Sequence, residues 1–152
     1  MQSPGDHFDL NRFTQVQEDI YTSVLSELKS GRKRTHWMWF IFPQFEGLGR
    51  SPTAKFYAIK SLEEARQYLQ NPVLGARLLE CSKIVLGIEG SDISDIFGFP
   101  DDLKLKSSMT LFSKVADPGS VFDQVLDKYF QGASDTRTLE LIAIISNPTN
   151  RD

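Results

Sequence analysis

Apolar residues recur every three or four positions along most of the chain, and strand-like alternation is scarce. The clearest run spans residues 10–30, where Phe13, Gln17, Ile20, Val24 and Leu28 form one helical stripe. Asp9 precedes the stripe in a capping position, and Gly31 follows it where a helix stop favours glycine.

Four further starts pair a capping residue with a helix-compatible continuation: Ser51-Pro52, Ser61 with Glu64 three residues on, Asn71-Pro72, and Asp135 ahead of residues 136–145. Pro100 and Pro118 mark two more first turns. Between the caps the helical spacing continues, as in Leu74, Leu78, Cys81 and Val85, or in Leu105, Met109, Phe112 and Ala116. These signals predict an all-α fold, a compact multihelical single domain of about eight helices over residues 8–146. Residues 1–7 and 147–152 lack periodicity and read as frayed ends.

A chain of 152 residues can bury about two-thirds of its unfolded surface, so neither a disulfide nor a structural metal is required. The one cysteine, Cys81, has no partner for an internal bridge, and the first residues lack the charged-then-apolar pattern of a leader. A reducing cytoplasm is the expected compartment. The longest apolar stretch, residues 37–43, is only about a third of a membrane span, so no membrane partner is expected. A net charge of −3 argues against duplex nucleic acid as the main partner while leaving room for a local basic patch.

The pattern breaks in residues 32–44. Arg32, Lys33, Arg34 and His36 are followed by Trp37, Trp39 and further apolar residues, then by Pro43 and Gln44. A helix here would be apolar nearly all round, which suits a central position or a cavity wall. Buried indoles need a hydrogen-bond partner, and the adjoining cations bring charge and aromatic walls together. That combination suits a planar, anionic ligand such as a nucleotide. Downstream, Gly49-Arg50-Ser51 opens the next helix and reads as a phosphate seat or as a plain loop and cap. With His7 and His36 the only histidines, no zinc set is available, and no metal or cofactor is expected.

A second polar cluster opens the helix after Pro100, where Asp101 and Asp102 precede Lys104 and Lys106. Acids in a first turn and lysines one turn later stabilise an exposed helix start. The same groups at the edge of an apolar site also supply the components of an acid–base pair.

Several runs carry a family resemblance: Phe8-Asp9-Leu10-Asn11-Arg12-Phe13, the whole segment 31–44, Gly47-Leu48-Gly49-Arg50-Ser51, and the segment 101–112. Over residues 8–141 the chain resembles the bacterial family catalogued as domain of unknown function eighteen-ten, which implies an all-helical fold. More remotely, the order of an aromatic-rich segment, then Ser51-Pro52-Thr53-Ala54-Lys55-Phe56-Tyr57-Ala58, then the Asp–Lys helix is similar to the NADAR or YbiA-like proteins. Those are linked to hydrolysis of N-glycosidic bonds in ADP-ribose derivatives and riboflavin-pathway intermediates. No catalytic residue is carried over from them.

The resulting expectation is an N-glycosidase-like hydrolase acting on a ribosylated or ADP-ribosylated substrate. Trp37 or Trp39 would stack on the base, while Arg34, Arg50 and Ser51 hold phosphate. Asp102 would steady the oxocarbenium-like charge or activate water, with Lys104 orienting it and His36 or Gln44 at the leaving group. The alternatives are a non-catalytic nucleotide or ADP-ribose binding module and a protein-interaction adaptor. The partner is accordingly a small nucleotide-type ligand or an ADP-ribosylated macromolecule.

Overall fold

A computed structural model describes residues 6–146 of the chain, and these are all-helical. The helices are α1 (Asn11–Lys29), α2 (Met38–Ile41), α3 (Pro52–Phe56), α4 (Leu62–Gln70), α5 (Leu74–Gly87), α6 (Ile93–Phe97), α7 (Asp101–Ser113), α8 (Val121–Phe130) and α9 (Thr136–Ser146). The element beyond the expected set is α6, five residues opened by reciprocal capping between Asp92 and Asp95, too short to display a helical period. The extended backbone is limited to one isolated parallel bridge, Phe45 to Ile59, among the described residues.

Most predicted caps are in place. Ser51 accepts the Ala54 N–H, Ser61 accepts the Glu64 N–H, Asn71 accepts those of Val73 and Leu74, and Asp135 accepts that of Thr138. Two differ. The entry to α1 is held by Asp6, whose carboxylate accepts the Leu10 and Asn11 N–H groups at 2.7 and 3.1 Å. Asp9 instead takes a left-handed φ of 53°. Pro118 sits in the turn before α8, whose Asp123 N–H is accepted by the Ser120 hydroxyl. Of the expected frayed ends, residues 1–5 and 147–152 lie outside the described residues, whereas Asp6 belongs to the fold.

The stripe on α1 is buried as its spacing requires, with Phe13, Gln17, Val24 and Leu28 inside. At the centre of the domain is α7, which packs against α4, α6, α8, α9 and the short α2. It has no single apolar face: Ser107, Ser108 and Thr110 are buried beside Leu105, Met109, Leu111 and Phe112. Ser107 and Thr110 return their hydroxyls to carbonyls four residues back in the same helix, whereas the buried Ser108 hydroxyl has no partner among the described residues. The last carbonyls of α5 are met from α8, where the Lys128 ammonium donates to Leu86 and the Tyr129 hydroxyl to Val85, and both also reach Ile88 just beyond the helix.

One buried ion pair joins α1 to α4. The Arg12 guanidinium donates to Glu64 at 2.7 Å and also to the carbonyls of Phe8, Asp9, Phe56 and Ala58. The second Glu64 oxygen accepts the Lys60 N–H at 2.9 Å. Every donor in this hub has a partner, so the charge costs little while the set is complete and much when one member is removed. Glu64→Gln should therefore destabilise the domain by about 3–5 kcal/mol, seen as a lower urea midpoint with unchanged slope. A loss under about 1 kcal/mol would show that the pair behaves as an exposed one.

Candidate functional site

The tract 32–44 is placed by one carboxylate. Gly31, at φ 81°, ends α1 and turns the chain, so that the Arg32 N–H reaches the Glu27 carbonyl at 3.1 Å. The Glu27 side chain, buried on the same helix, then gathers the tract. It accepts the N–H groups of Arg34 (2.6 Å) and Thr35 (3.0 Å), the Thr35 hydroxyl (2.6 Å) and the Trp37 indole N–H (3.0 Å). Burial alone would raise this carboxyl, but the hydrogen bonds outweigh it and hold the group down at about 2.

Trp37 precedes the single turn of α2, and Met38, Ile41 and Phe42 continue inward from it into the core. Trp39 and Phe40 remain half-buried. Against the half-buried side of this turn lies the start of α7, and between them is a cleft of about 250 Å³. Its walls are Lys33, His36, Trp37, Met38, Trp39, Phe40, Thr53, Asp101 and Lys104. The 32–44 tract and the Asp–Lys helix therefore line one cavity.

The chemistry of the cleft centres on Asp101. Its Oδ2 is 2.8 Å from the Lys33 ammonium and its Oδ1 is 3.2 Å from that of Lys104. Burial would raise this carboxyl too, but hydrogen bonds and charge from the two lysines keep it below the usual carboxylate range. Each lysine also sits over an indole, Lys33 at 5.0 Å from the Trp37 ring and Lys104 at 5.7 Å from the Trp39 ring. The Lys33 side chain is only 5% exposed, against 31% for Lys104. Trp39 is pressed on its far edge by Gly49, where an added Cβ would lie 2.7 Å from the ring.

The family model described as "Protein of unknown function (DUF1810)" matches residues 7–142. The chain belongs to this family. The same architecture is found in the crystal structure of the conserved hypothetical protein Rv1873 from Mycobacterium tuberculosis, at 54% sequence identity and a TM-score of 0.88. That alignment covers 90% of this chain and 98% of the other. No curated protein matches the chain. Family membership thus fixes the fold and leaves the chemistry to be argued from the cleft.

Of the residues singled out in the sequence, His36, Trp37, Trp39 and Lys104 line the cleft, with His36 at its exposed rim. Asp102 does not: its carboxylate turns to the Leu103 N–H, and its neighbour Asp101 occupies the position expected of it. Arg34 is exposed and contributes its backbone N–H to Glu27. Arg50 is exposed outside the cleft wall, and the Ser51 hydroxyl is engaged in capping α3. Gln44 is buried away from the lining, its carbonyl accepting the Ile59 N–H and its Nε2 unpartnered. The residues that sequence reasoning missed are Glu27, Lys33 and, in place of its neighbour, Asp101. Glu27 reads as one more polar residue on a long helix, and Lys33 as one of several cations in a run. Among the described residues no three His, Cys, Asp or Glu side chains are grouped to hold a metal ion.

Glu27→Gln should lower stability at neutral pH by roughly 3 kcal/mol and shift the emission of the cleft tryptophans. Because the folded carboxyl titrates below its ordinary value, its contribution is complete above the unfolded pKa of 4.5 and is lost as pH falls toward about 2. The gap between wild type and variant in urea unfolding should accordingly close over that interval. A gap that stays constant into acid would remove Glu27 from this role.

Proposed function

We propose that the cleft binds a nucleotide-type ligand and hydrolyses its N-glycosidic bond. The observation that carries this reading is the ionised Asp101 carboxylate held between Lys33 and Lys104, beside the half-buried face of Trp39. Two ammonium groups against one carboxylate leave a net positive charge in a largely aromatic pocket, which favours a planar anion.

In this scheme the base stacks on Trp39, and Lys104 with Lys33 meets the ligand's phosphate or sugar hydroxyls. As the bond between the anomeric carbon and the base nitrogen lengthens, positive charge spreads over the sugar, and Asp101 stabilises it. Water adds its oxygen to the anomeric carbon, and its proton passes to the departing nitrogen, with His36 at the exposed rim beside the leaving base. Asp101 takes the role expected of Asp102, because the latter does not face the cleft. A depressed pKa suits a group that must stay ionised rather than one that must accept a proton.

The segment order that resembles NADAR proteins favours the same reaction class, and ADP-ribosylated substrates fall within the proposal. The double lysine pairing of Asp101 supports a second reading, a module that binds such ligands without turnover, since a carboxylate already matched by two cations offers less field to a developing charge.

The reaction is tested by incubating the protein with a panel of nucleosides, nucleotides and ADP-ribose derivatives and measuring released base by mass spectrometry. Asp101→Asn should reduce release by about 10²-fold or more, while Asp102→Asn stays near wild type. Melting curves of both variants show whether either has merely unfolded. Saturable binding with no product from any member of the panel would establish the binding module instead, and equal activity of Asp101→Asn and wild type would remove the carboxylate from the mechanism.

A further inference from the structure

A volume of about 250 Å³ accommodates one base or sugar and falls below the roughly 300–1,000 Å³ of sites that enclose whole ligands. A nucleotide-type ligand would therefore extend out of the cleft, and a run of ring contacts leads from the cleft wall to a second groove. Phe40, in the cleft wall, meets the edge of Tyr57 at a centroid distance of 4.8 Å. Tyr57 in turn meets Phe56 edge-on at 4.9 Å. The chain of rings ends at Phe56, which is 54% exposed although held from behind by its neighbour.

Phe56 borders a second, open groove of about 410 Å³, where Lys55 and Lys60 are exposed beside it. Its other walls are Phe8, Asp9 and Arg12, and Arg12 is already consumed by Glu64 and four carbonyls. Among the described residues Lys55 and Lys60 make no ion pair, and the acid lining the groove beside them is Asp9. An exposed aromatic fixed in place and flanked by lysines is the arrangement on which bases stack while phosphates are neutralised. The same short helix, α3, carries Thr53 at the cleft and Lys55 with Phe56 at the groove, so both regions keep a fixed separation.

We propose that the ligand contains two bases joined through phosphate, one received in the cleft and the second stacked on Phe56, with Lys55 and Lys60 meeting the phosphates between or beyond them. This extension rests on the nucleotide reading of the cleft. Two sources share the chemistry, a free dinucleotide and a single-stranded nucleic acid, and they differ in how far the phosphates continue past Phe56.

Quenching of the two cleft tryptophans is followed during titration with adenosine monophosphate, nicotinamide adenine dinucleotide and an eight-residue adenylate single strand, at low and moderate salt. At least one two-base ligand should bind about tenfold more tightly than the mononucleotide. Phe56→Ala should abolish that gain and leave mononucleotide affinity unchanged, and Lys55→Glu with Lys60→Glu should reduce it and flatten its salt dependence. A gain for the dinucleotide identifies a small-molecule ligand, and a gain confined to the strand identifies a polymer. Equal affinity for all three ligands, or an equal effect of Phe56→Ala on all three, would overturn the extension while leaving the cleft reading intact. Failure of every nucleotide to bind would overturn both.

Discussion

The cleft exists because a single buried carboxylate has four donors. A loop with three cations and a histidine would ordinarily lie in solvent, where its backbone and side chains are hydrated. Glu27 removes that option for the segment from Arg34 to Trp37 by accepting two backbone N–H groups, a hydroxyl and an indole N–H together. The bonds to an ionised acceptor are the strong kind, and they are made to neighbouring residues whose relative geometry is thereby fixed. With Trp37 anchored, Met38 and Ile41 enter the core, and Trp39 and Phe40 are left on the side that faces α7. Remove the acceptor and a buried indole is left without a partner, so the fold and the site depend on the same contact.

The second constraint is α7, which is central yet carries two acids and two lysines in its first two turns. A helix advances by about 100° per residue, so Asp101 and Asp102 cannot both face the same cleft. The phase set by the core residues Leu105, Met109 and Phe112 decides which one does. Asp101 and Lys104, three positions apart, share the cleft side, and Leu103 is consequently exposed. Asp101 also ties the helix start to the 32–44 tract through Lys33, so the two walls of the cavity are joined across it by charge.

Much of this is legible in the sequence. Amphipathic stripes and Ser, Asn or Asp caps mark most of the long helices, because those signals act locally and α1, α4 and α8 have one wet face. The tract 32–44 is visible as a departure from that pattern, and so is the acid-then-lysine start of α7, so the two walls of the cleft can be anticipated. The choice between Asp101 and Asp102 cannot, since adjacent carboxylates differ only in helical phase and the phase is set by packing. Nor can Glu27, whose partners lie beyond the end of its own helix and become partners only after Gly31 reverses the chain. The five-residue α6 is hidden for another reason, being shorter than two turns of any period.

The chain carries a net charge of −3, yet its cleft and the adjoining groove hold more cationic than anionic side chains. That separation has a mechanistic consequence. Asp101 neutralises the lysines at the edges of the cleft, and the Lys33 ammonium is kept out of water by Trp37 and its ion pair. In the proposed scheme, a ligand phosphate would compete for the same donors. Each contact it took from Lys33 or Lys104 would weaken the hold on Asp101, so the carboxylate would gain effective negative field only with the ligand's own anion seated. Under that reading, recognition and stabilisation of positive charge on the sugar would be coupled through two shared lysines.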